Sequence, residues 1–393
     1  MSHHTLLPRI LQSGAGAVNQ LAVVLRSLGV SRPLIVTDHM MEELGYLRRV
    51  AALLDEAGVH HGVFADTVPE PTESSILEGV ATLTAGLPDG SRFDSVIALG
   101  GGSPIDSAKA ISVLGLAGGQ IRDYRFPNEA EQPGLPVVAI PTTAGTGSEA
   151  TRFTIITDDD VGEKMLCGGL GFMPMAALVD FELTMSVPPR VTADTGIDAL
   201  THAIEAYVSR KANPFSDQQA LAAMRLIAPN LRRVWHEPDD RAAREAMMMG
   251  ATLGGMAFSN ASVALVHGMS RPIGAAFHVP HGLSNAMLLP AVTGFSIPAA
   301  PERYAECART MGVAAAGDDT ATANDRLLAE LRALNRELEV PGPKAYGIER
   351  ARYFELSATM AEQALASGSP GNNPRVPEAD DIVALYEQVW NQE

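Results

Sequence analysis

Four residues of the chain, Asp198, His202, His267 and His281, have side chains that together can bind a metal ion. They lie in the strings GIDALTHAIEAY, VALVHGMSRP and HVPHGLSNAM. Asp198 and His202 are four residues apart, so on a helix both project from one face. One carboxylate and three imidazoles suit iron, zinc or nickel better than calcium or magnesium, which prefer all-oxygen shells. These residues therefore predict a metal-dependent enzyme.

Each histidine also has a simpler explanation, because a histidine in an apolar helix is more often a hydrogen-bonded core residue than a ligand. His267 and His281 are separated by a segment with two prolines, so the chain must bend between them and both can return to one point. One shared metal explains the three histidines better than three separate structural roles. Asp194, one turn before Asp198, is a weaker candidate ligand, and we expect it to be a helix N-cap.

A glycine-rich loop gives the clearest sign of a nucleotide cofactor. In DSVIALGGGSPIDSAKA a strand-like run ends at Leu99, three glycines follow, and a helix-like run continues through Asp106. Glycines allow the backbone to approach a ligand closely, and the N–H groups at a helix N-terminus can bind phosphate. An ordinary strand-to-helix turn is the alternative.

Two further features suit a nucleotide. The loop PTTAGTGSEAT (141–151) carries hydroxyl groups on a flexible backbone and is a candidate second wall of the same cleft. Asp38 ends the strand-like run PLIVTD. A carboxylate there can accept a hydrogen bond from a ribose 2′-OH and repels a 2′-phosphate, which favours NAD over NADP. Asp38 can equally be the N-cap of the following helix.

The elements that must position these motifs fall into two regions. In the first, to about residue 185, β-branched runs alternate with helical stretches, which predicts a mainly parallel sheet with helices on both faces. The expected strands are PLIVTD (33–38), HGVFAD (61–66), DSVIALG (94–100), PVVAIPTT (136–143) and AALVD (176–180). The expected early helices cover 19–28 and 41–56.

Beyond Val187-Pro188-Pro189, which we interpret as a domain boundary, the apolar residues repeat near every 3.6 positions and predict an all-helical region. In SDQQALAAMRLIAPNL, Ser216 and Gln219 have the spacing of a capping box. A single apolar stripe is expected from Leu327, Leu331, Leu334 and Leu338.

Composition excludes several classes of protein. The 393 residues are 46% hydrophobic and 19% charged, which indicates a globular chain with room for two domains. A net charge of −17 argues against nucleic acid or an anionic membrane surface as a partner. Two cysteines fit a reducing compartment, and neither a secretory signal nor a run of ~20 apolar residues is visible. We therefore expect a cytoplasmic protein.

Together, GGGSPIDSAK, PTTAGTGSEAT, GIDALTHAIEAY and VHGM…PHGLSNAMLLP resemble the iron-dependent (group III) alcohol dehydrogenases, in order and over nearly the whole chain. The resemblance implies an α/β N-terminal Rossmann-like domain (1–187) that binds the dinucleotide. It implies an all-α C-terminal domain (188–393) that binds the metal, an architecture shared with dehydroquinate synthase. It also implies Fe²⁺, with Zn²⁺ in some members, NAD as the cofactor, and a homo-oligomer that is a dimer or larger.

The same resemblance assigns roles by motif. The metal ligands are Asp198, His202, His267 and His281. The cofactor contacts are Asp38, Gly101, Gly102, Ser103, Asp106, Thr142, Thr143, Thr146, Lys164 and Leu183. The residues near the substrate are Phe153 and Phe258.

The chain departs from the family at Arg271, where many relatives carry a histidine four residues after the third ligand. Arginine stays protonated near neutral pH and cannot be a general base. Proton transfer must then use water, the ribose hydroxyls or His278. Arg271 can either hold an anionic group of the substrate, or pair with an acidic neighbour and merely shape the pocket.

The sequence thus predicts a metal-dependent, NAD-linked oxidoreductase that interconverts a small primary alcohol and its aldehyde by hydride transfer. The alternative is a dehydrogenase or reductase of an anionic hydroxy acid or aldehyde acid anchored by Arg271. Lyases related to dehydroquinate synthase use a Glu/His/His metal set, which differs from the set here. A non-catalytic nucleotide-binding role would leave the metal ligands unexplained.

Overall fold

The computed structural model describes residues 3–392, and these fall into two units. One unit is Leu6–Val187, and the other begins at Pro188 and includes a few residues of the N-terminus. The first unit is α/β and the second is helical, so the predicted fold class is confirmed. The dinucleotide-binding and metal-binding roles assigned to 1–187 and 188–393 are taken up below.

The α/β unit contains two sheets. The strands are β1 (Ile10–Ser13), β2 (Pro33–Val36), β3 (Gly62–Phe64), β4 (Ser95–Gly100), β5 (Val137–Pro141), β6 (Phe153–Thr157), β7 (Lys164–Gly168) and β8 (Ala176–Val179). The α-helices are α1 (Leu21–Leu28), α2 (His39–Glu43), α3 (Tyr46–Glu56), α4 (Glu73–Ala85) and α5 (Gly102–Ala117). Six strands form a parallel sheet in the order β1-β8-β5-β4-β2-β3, and β6 pairs with β7 in an antiparallel hairpin.

The parallel sheet is covered on both faces. Strand side chains alternate between two apolar clusters, because successive residues of a strand point to opposite faces. Leu34 and Val96 pack in one cluster with residues of α4 and α5. Ile35 and Ile97 pack in the other with residues of α1 and α3. Strands buried on both faces are continuous apolar runs, which is why the sequence revealed them.

Some predictions for this unit were wrong. The expected helix over 41–56 is divided, because Gly45 has a φ of 78° between α2 and α3. β1 was not predicted, since this edge strand is mostly exposed and lacks a continuous apolar run. The β6–β7 hairpin was also missed, and HGVFAD forms a strand only at Gly62–Phe64.

The described part of the second unit contains helices and no strand. They are α6 (Pro189–Val208), α7 (Pro214–His236), α8 (Arg241–Ala261), α9 (Leu265–Phe277), α10 (His281–Ser296), α11 (Pro301–Thr310), α12 (Thr320–Glu337), α13 (Pro343–Tyr346), α14 (Arg350–Ala366) and α15 (Ala379–Asn391). Within residues 3–392, no single helix is long and apolar enough to cross a membrane, although α8 and α9 pass that test as a bent pair.

The leucine stripe on α12 is confirmed, because Leu327, Leu331 and Leu334 are buried and Leu338 is buried just beyond the helix. The capping box predicted at Ser216 is wrong. The helix starts one turn earlier, at Pro214, and the capping box joins Asn213 to Ser216. Proline suits the first helical position, where its missing N–H costs nothing.

Candidate active site

Three helices of the second unit carry the four predicted metal ligands. Asp198 and His202 lie one turn apart on α6, His267 is in the first turn of α9, and His281 is the first residue of α10. The chain bends between the last two as expected, because α9 ends at Phe277 and the next residue, His278, is in the left-handed region (φ 54°). α10 then begins directly after Pro280.

The ligand atoms converge on one point. One potential ligand atom from each of the four residues lies within 4.8 Å of all the others. Asp198 Oδ1 is 4.0 Å from His202 Nε2, 3.4 Å from His267 Nε2 and 3.8 Å from His281 Nε2. In a tetrahedral shell with metal–nitrogen bonds of about 2.1 Å, neighbouring ligand atoms are about 3.4 Å apart. The donor set therefore fits a divalent metal such as iron or zinc in both type and spacing.

The site is buried and highly polar. Asp198, His202 and His267 are buried, and His281 is half-buried. Burial opposes a negative charge on Asp198, but the surrounding imidazoles outweigh it and hold the pKa of that carboxyl well below its usual range. Burial likewise opposes a positive charge on His267, but Glu205 and Asp198 raise its pKa to about 9.

Glu205, which the sequence reasoning did not single out, orients His267. Its carboxylate is buried and accepts hydrogen bonds from the backbone N–H groups of Ala264 (3.0 Å) and Val266 (2.6 Å). It also lies 2.6 Å from His267 Nδ1. A carboxylate can only accept, so Nδ1 donates and Nε2 is left to face the metal. Glu205 is visible in the string THAIEAY, one turn after His202, but its partners come from another helix.

Two aromatic contacts complete the wall beside His202. The Phe258 ring stacks on the His202 imidazole with centroids 4.2 Å apart and planes 20° apart. The His267 imidazole also stacks on His202, with ring centroids 4.5 Å apart. Phe258 was predicted near the substrate, and the structure places it directly against a metal ligand.

Asp194 is not an N-cap, so that prediction is wrong. α6 begins at Pro189, which leaves Asp194 in its second turn, where it forms an ion pair with Arg190. It also lies outside the group of converging ligand atoms.

Arg271 lies in the middle of α9, and His278 directly follows the last residue of that helix. Arg271 is half-buried and donates a hydrogen bond to Ser369 Oγ at 3.1 Å. Desolvation lowers its pKa to about 10, so the guanidinium remains charged at neutral pH. The negative charge of Glu205 opposes that lowering, so an acidic neighbour acts on Arg271, although no ion pair of 4.0 Å or less joins the two among the residues that the structure describes. The alternative of an acidic partner therefore stays a prediction. The side chain of His278 is exposed.

In the α/β unit, the glycine-rich loop leads into α5 as predicted. Gly101 is the N-cap of this helix, and Gly102 is its first residue. A Cβ atom on Gly102 would lie 2.8 Å from Thr146 Cγ2, so the two loops that are predicted to bind the cofactor lie close together at this glycine. Ser103 Oγ accepts a hydrogen bond from the Glu70 N–H at 3.2 Å.

A buried network ties the two loops together. The Asp106 carboxylate accepts hydrogen bonds from Ser148 Oγ (2.6 Å) and from the Ile155 N–H (2.9 Å). Lys109 Nζ, which is fully buried, donates to Ser148 Oγ (2.7 Å) and to Thr151 Oγ1 (3.0 Å). Both carboxylate oxygens of Asp106 therefore accept hydrogen bonds from other groups of the protein. Lys109 was missed, although it stands one turn after Asp106 in the sequence.

The other predicted cofactor residues have varied surroundings. Asp38 is the N-cap of α2 and accepts from the Met41 N–H at 2.9 Å, so the capping alternative is confirmed. Thr142 is buried, and Thr143 and Thr146 are half-buried. Lys164 forms an ion pair with Glu70.

Leu183 and Phe153 differ in exposure. Leu183 is buried in the core beside α1 and α3, whereas Phe153 is half-buried at the start of β6. For all of these residues, contact with a cofactor or substrate stays a prediction.

Comparison with known proteins places both units in one family. Residues 8–181 match the family model "Iron-containing alcohol dehydrogenase", and residues 192–390 match "Fe-containing alcohol dehydrogenase family, C-terminal". The chain is 37% identical to the NAD-dependent methanol dehydrogenase of Bacillus methanolicus, over 96% of this chain and 97% of that protein. It is 35% identical to the lactaldehyde reductase of Escherichia coli K12, over 99% and 100% respectively.

Among solved structures, the chain resembles the sulfoacetaldehyde reductase of Bifidobacterium kashiwanohense in complex with NAD⁺. The TM-score is 0.88 at 28% identity, and the match covers 100% of each chain.

Proposed function

This chain belongs to the iron-containing alcohol dehydrogenase family, and we propose that it interconverts a small primary alcohol and its aldehyde with NAD as the hydride carrier. The observation that carries the proposal is the convergence of Asp198, His202, His267 and His281. A bound Fe²⁺ or Zn²⁺ would supply the Lewis acidity that stabilises negative charge on the substrate oxygen.

The side chains around the ligands prepare the site for that charge. Glu205 fixes the His267 ring so that Nε2 faces the centre of the cluster. The stacked ring of Phe258 covers one face of His202 and excludes water from it. His278, exposed at the end of α9, is the candidate group to exchange a proton with solvent, since Arg271 cannot release one at neutral pH.

The loops of the α/β unit support the choice of cofactor. The N-terminus of α5 follows Gly101 and offers backbone N–H groups to a pyrophosphate. Asp38 keeps one carboxylate oxygen for its helix cap and has a second available to a ribose hydroxyl. A 2′-phosphate would meet negative charge there, which favours NAD over NADP.

The test is turnover by protein purified without oxygen and loaded with Fe²⁺. We expect NADH to form from NAD with at least one short alcohol or diol, and aldehyde reduction in the reverse direction. Removal of metal with a chelator should abolish both reactions, and Fe²⁺ or Zn²⁺ should restore them. A lack of turnover with every alcohol and aldehyde would refute the proposal, and turnover without net NADH formation would favour a lyase.

Arg271 supports a second candidate, in which the substrate is an aldehyde or hydroxy acid with an anionic group. The guanidinium is half-buried and charged, and it has no carboxylate within 4.0 Å among the described residues. It stands one turn after His267 on α9, so both side chains project from the same face of the helix. A carboxylate or sulfonate on the substrate would supply a direct counter-ion in addition to Glu205, which acts on Arg271 without a contact of 4.0 Å or less. The similar sulfoacetaldehyde reductase acts, by its name, on such an anion.

Replacement of Arg271 separates the two candidates. With Arg271→Met, loss of a charge-assisted contact should raise the KM for a sulfonated or carboxylated aldehyde by about 10- to 100-fold. The KM for 1,2-propanediol should stay within about twofold. The Arg271→His variant restores the residue typical of relatives and should improve neutral alcohols. Unchanged kinetics with anionic aldehydes in both variants would exclude the anion anchor.

A further inference from the structure

Asn285 is not one of the four metal ligands, yet its side chain contacts three of them. It lies on α10, four residues after His281, so the two side chains project from the same face of the helix. Its side chain is fully buried. Its amide nitrogen Nδ2 is 2.6 Å from Asp198 Oδ1, 3.1 Å from His267 Nε2 and 3.2 Å from His281 Nε2. One amide group thus reaches a ligand atom on each of three helices.

The chemistry of these contacts fixes which end of the amide faces the cluster. A carboxylate oxygen only accepts hydrogen bonds, so the group 2.6 Å from Asp198 must be the amide NH₂. With the amide turned over, Oδ1 would face the Asp198 carboxylate at the same distance. The Oδ1 atom of Asn285 is buried and has no hydrogen-bond partner among the described residues. Because Oδ1 has no partner there, the orientation of the Asn285 amide depends on the contacts of its NH₂ group with the metal ligands.

Holding these ligand atoms together without a cation is unfavourable, because lone pairs and a carboxylate charge face one another. The Asn285 NH₂ group brings two donor hydrogens to this point and offsets part of that repulsion. When a metal takes the imidazole lone pairs, the bond to Asp198 can persist, because a carboxylate has further lone pairs. Hydrogen bonds of this kind to a ligating carboxylate orient it and tune metal affinity.

We propose that Asn285 is a positioning residue of the metal site, which holds Asp198, His267 and His281 together before the metal binds and keeps Asp198 in place afterwards. The proposal rests on the ligand cluster and not on the identity of the substrate. Wild-type alcohol turnover therefore tests the proposed function separately.

The test compares metal affinity in Asn285→Leu, which keeps the size of the side chain but removes both donors. The full-length protein is stripped of metal and titrated with Zn²⁺ and Co²⁺ against a chromophoric chelator. We expect affinity for both metals to fall by about 10- to 100-fold. The absorption bands of the Co²⁺ protein should keep their wild-type positions and intensities, because the four ligands are unchanged. If Asn285→Leu does not fold, Asn285→Ala carries the same test without added bulk.

A matched control makes the interpretation specific. Asn373→Leu is the matched control, because Asn373 is also buried in the helical unit but donates to Ser296 Oγ and to the Arg375 carbonyl. This control should lower stability and leave metal affinity unchanged.

Either of two results would overturn the proposal. Metal affinity within twofold of wild type in the Leu or Ala variant would show that Asn285 does not position the ligands. A Co²⁺ spectrum that indicates a different coordination number in the variants would show that Asn285 is a direct ligand instead.

Discussion

Loss of the Glu205 carboxylate should weaken metal binding and destabilise the helical unit together. Its two oxygens accept from the N–H groups of Ala264 and Val266 and from His267 Nδ1. In Glu205→Leu the two backbone donors stay buried without an acceptor. Each such donor costs about 1–3 kcal/mol, so the free energy of unfolding of the metal-free protein should fall by about 2 kcal/mol or more.

The effect on metal binding has a separate cause. Without Glu205, the proton of the neutral His267 ring can move from Nδ1 to Nε2, where it blocks the ligand lone pair. Loss of such an outer contact typically costs 10- to 100-fold in metal affinity, or about 1.4–2.7 kcal/mol. Glu205→Gln should lose less, because its oxygen can still accept from His267 while its NH₂ group faces the Val266 N–H.

The assays are chelator competition with Zn²⁺ for affinity and urea unfolding in EDTA for stability. Ser209→Ala is the matched control, because Ser209 follows α6, is buried, donates to the Ala261 carbonyl at 2.6 Å and accepts from the Lys211 N–H at 3.1 Å. This substitution should lower the free energy of unfolding by about 1 kcal/mol and leave the affinity for Zn²⁺ unchanged. Wild-type Zn²⁺ affinity in Glu205→Leu would refute the reasoning, whatever happens to stability.

Three other outcomes follow from the structure. Burial lowers the pKa of Lys109 to about 8 from 10.5, so between these values the unfolded chain binds more protons and the stability contributed by this group rises with pH. The wild type should therefore gain about 2 kcal/mol relative to Lys109→Met between pH 8 and pH 10 in urea unfolding. Gly102→Ala would place a methyl group 2.8 Å from Thr146 Cγ2, so NAD affinity measured by fluorescence titration should fall by about tenfold, and unchanged affinity would place the cofactor elsewhere. Phe258→Ala removes the ring stacked on His202 and should raise the KM for alcohol more than it changes kcat, whereas a pure loss of stability with wild-type kinetics would argue against a place beside the substrate.

The sequence revealed most of the fold because the main elements have strong periodic patterns. Strands buried on both faces, such as β4 and β5, are uninterrupted apolar runs, and α12 carries a regular leucine stripe. The missed elements lack such patterns. β1 is an edge strand with three exposed residues in four. β6 buries only alternate residues, which gives it a weaker pattern than the central strands have.

The sequence predicted the metal ligands of the candidate site but not the residues that hold those ligands in place. Asp198 and His202 share a helix face, which spacing alone reveals. Glu205 acts on a histidine 62 residues away, and no local pattern relates the two. Asn285 has helical spacing from His281, but its contact with Asp198 depends on how α6 and α10 pack.

The spacing of the ligand atoms also decides between a metal site and a cluster of hydrogen-bonded core histidines. Hydrogen bonds between nitrogen and oxygen are 2.7–3.2 Å long. The three imidazole nitrogens lie 3.4–4.0 Å from Asp198 Oδ1, beyond that range and close to the separation of ligands around one small cation. The true hydrogen bonds of this group join it to residues outside it: His267 Nδ1 donates to Glu205, and Asn285 Nδ2 donates to Asp198. A structural cluster would satisfy its members among themselves, whereas here the outer residues orient atoms whose remaining lone pairs point at a common centre.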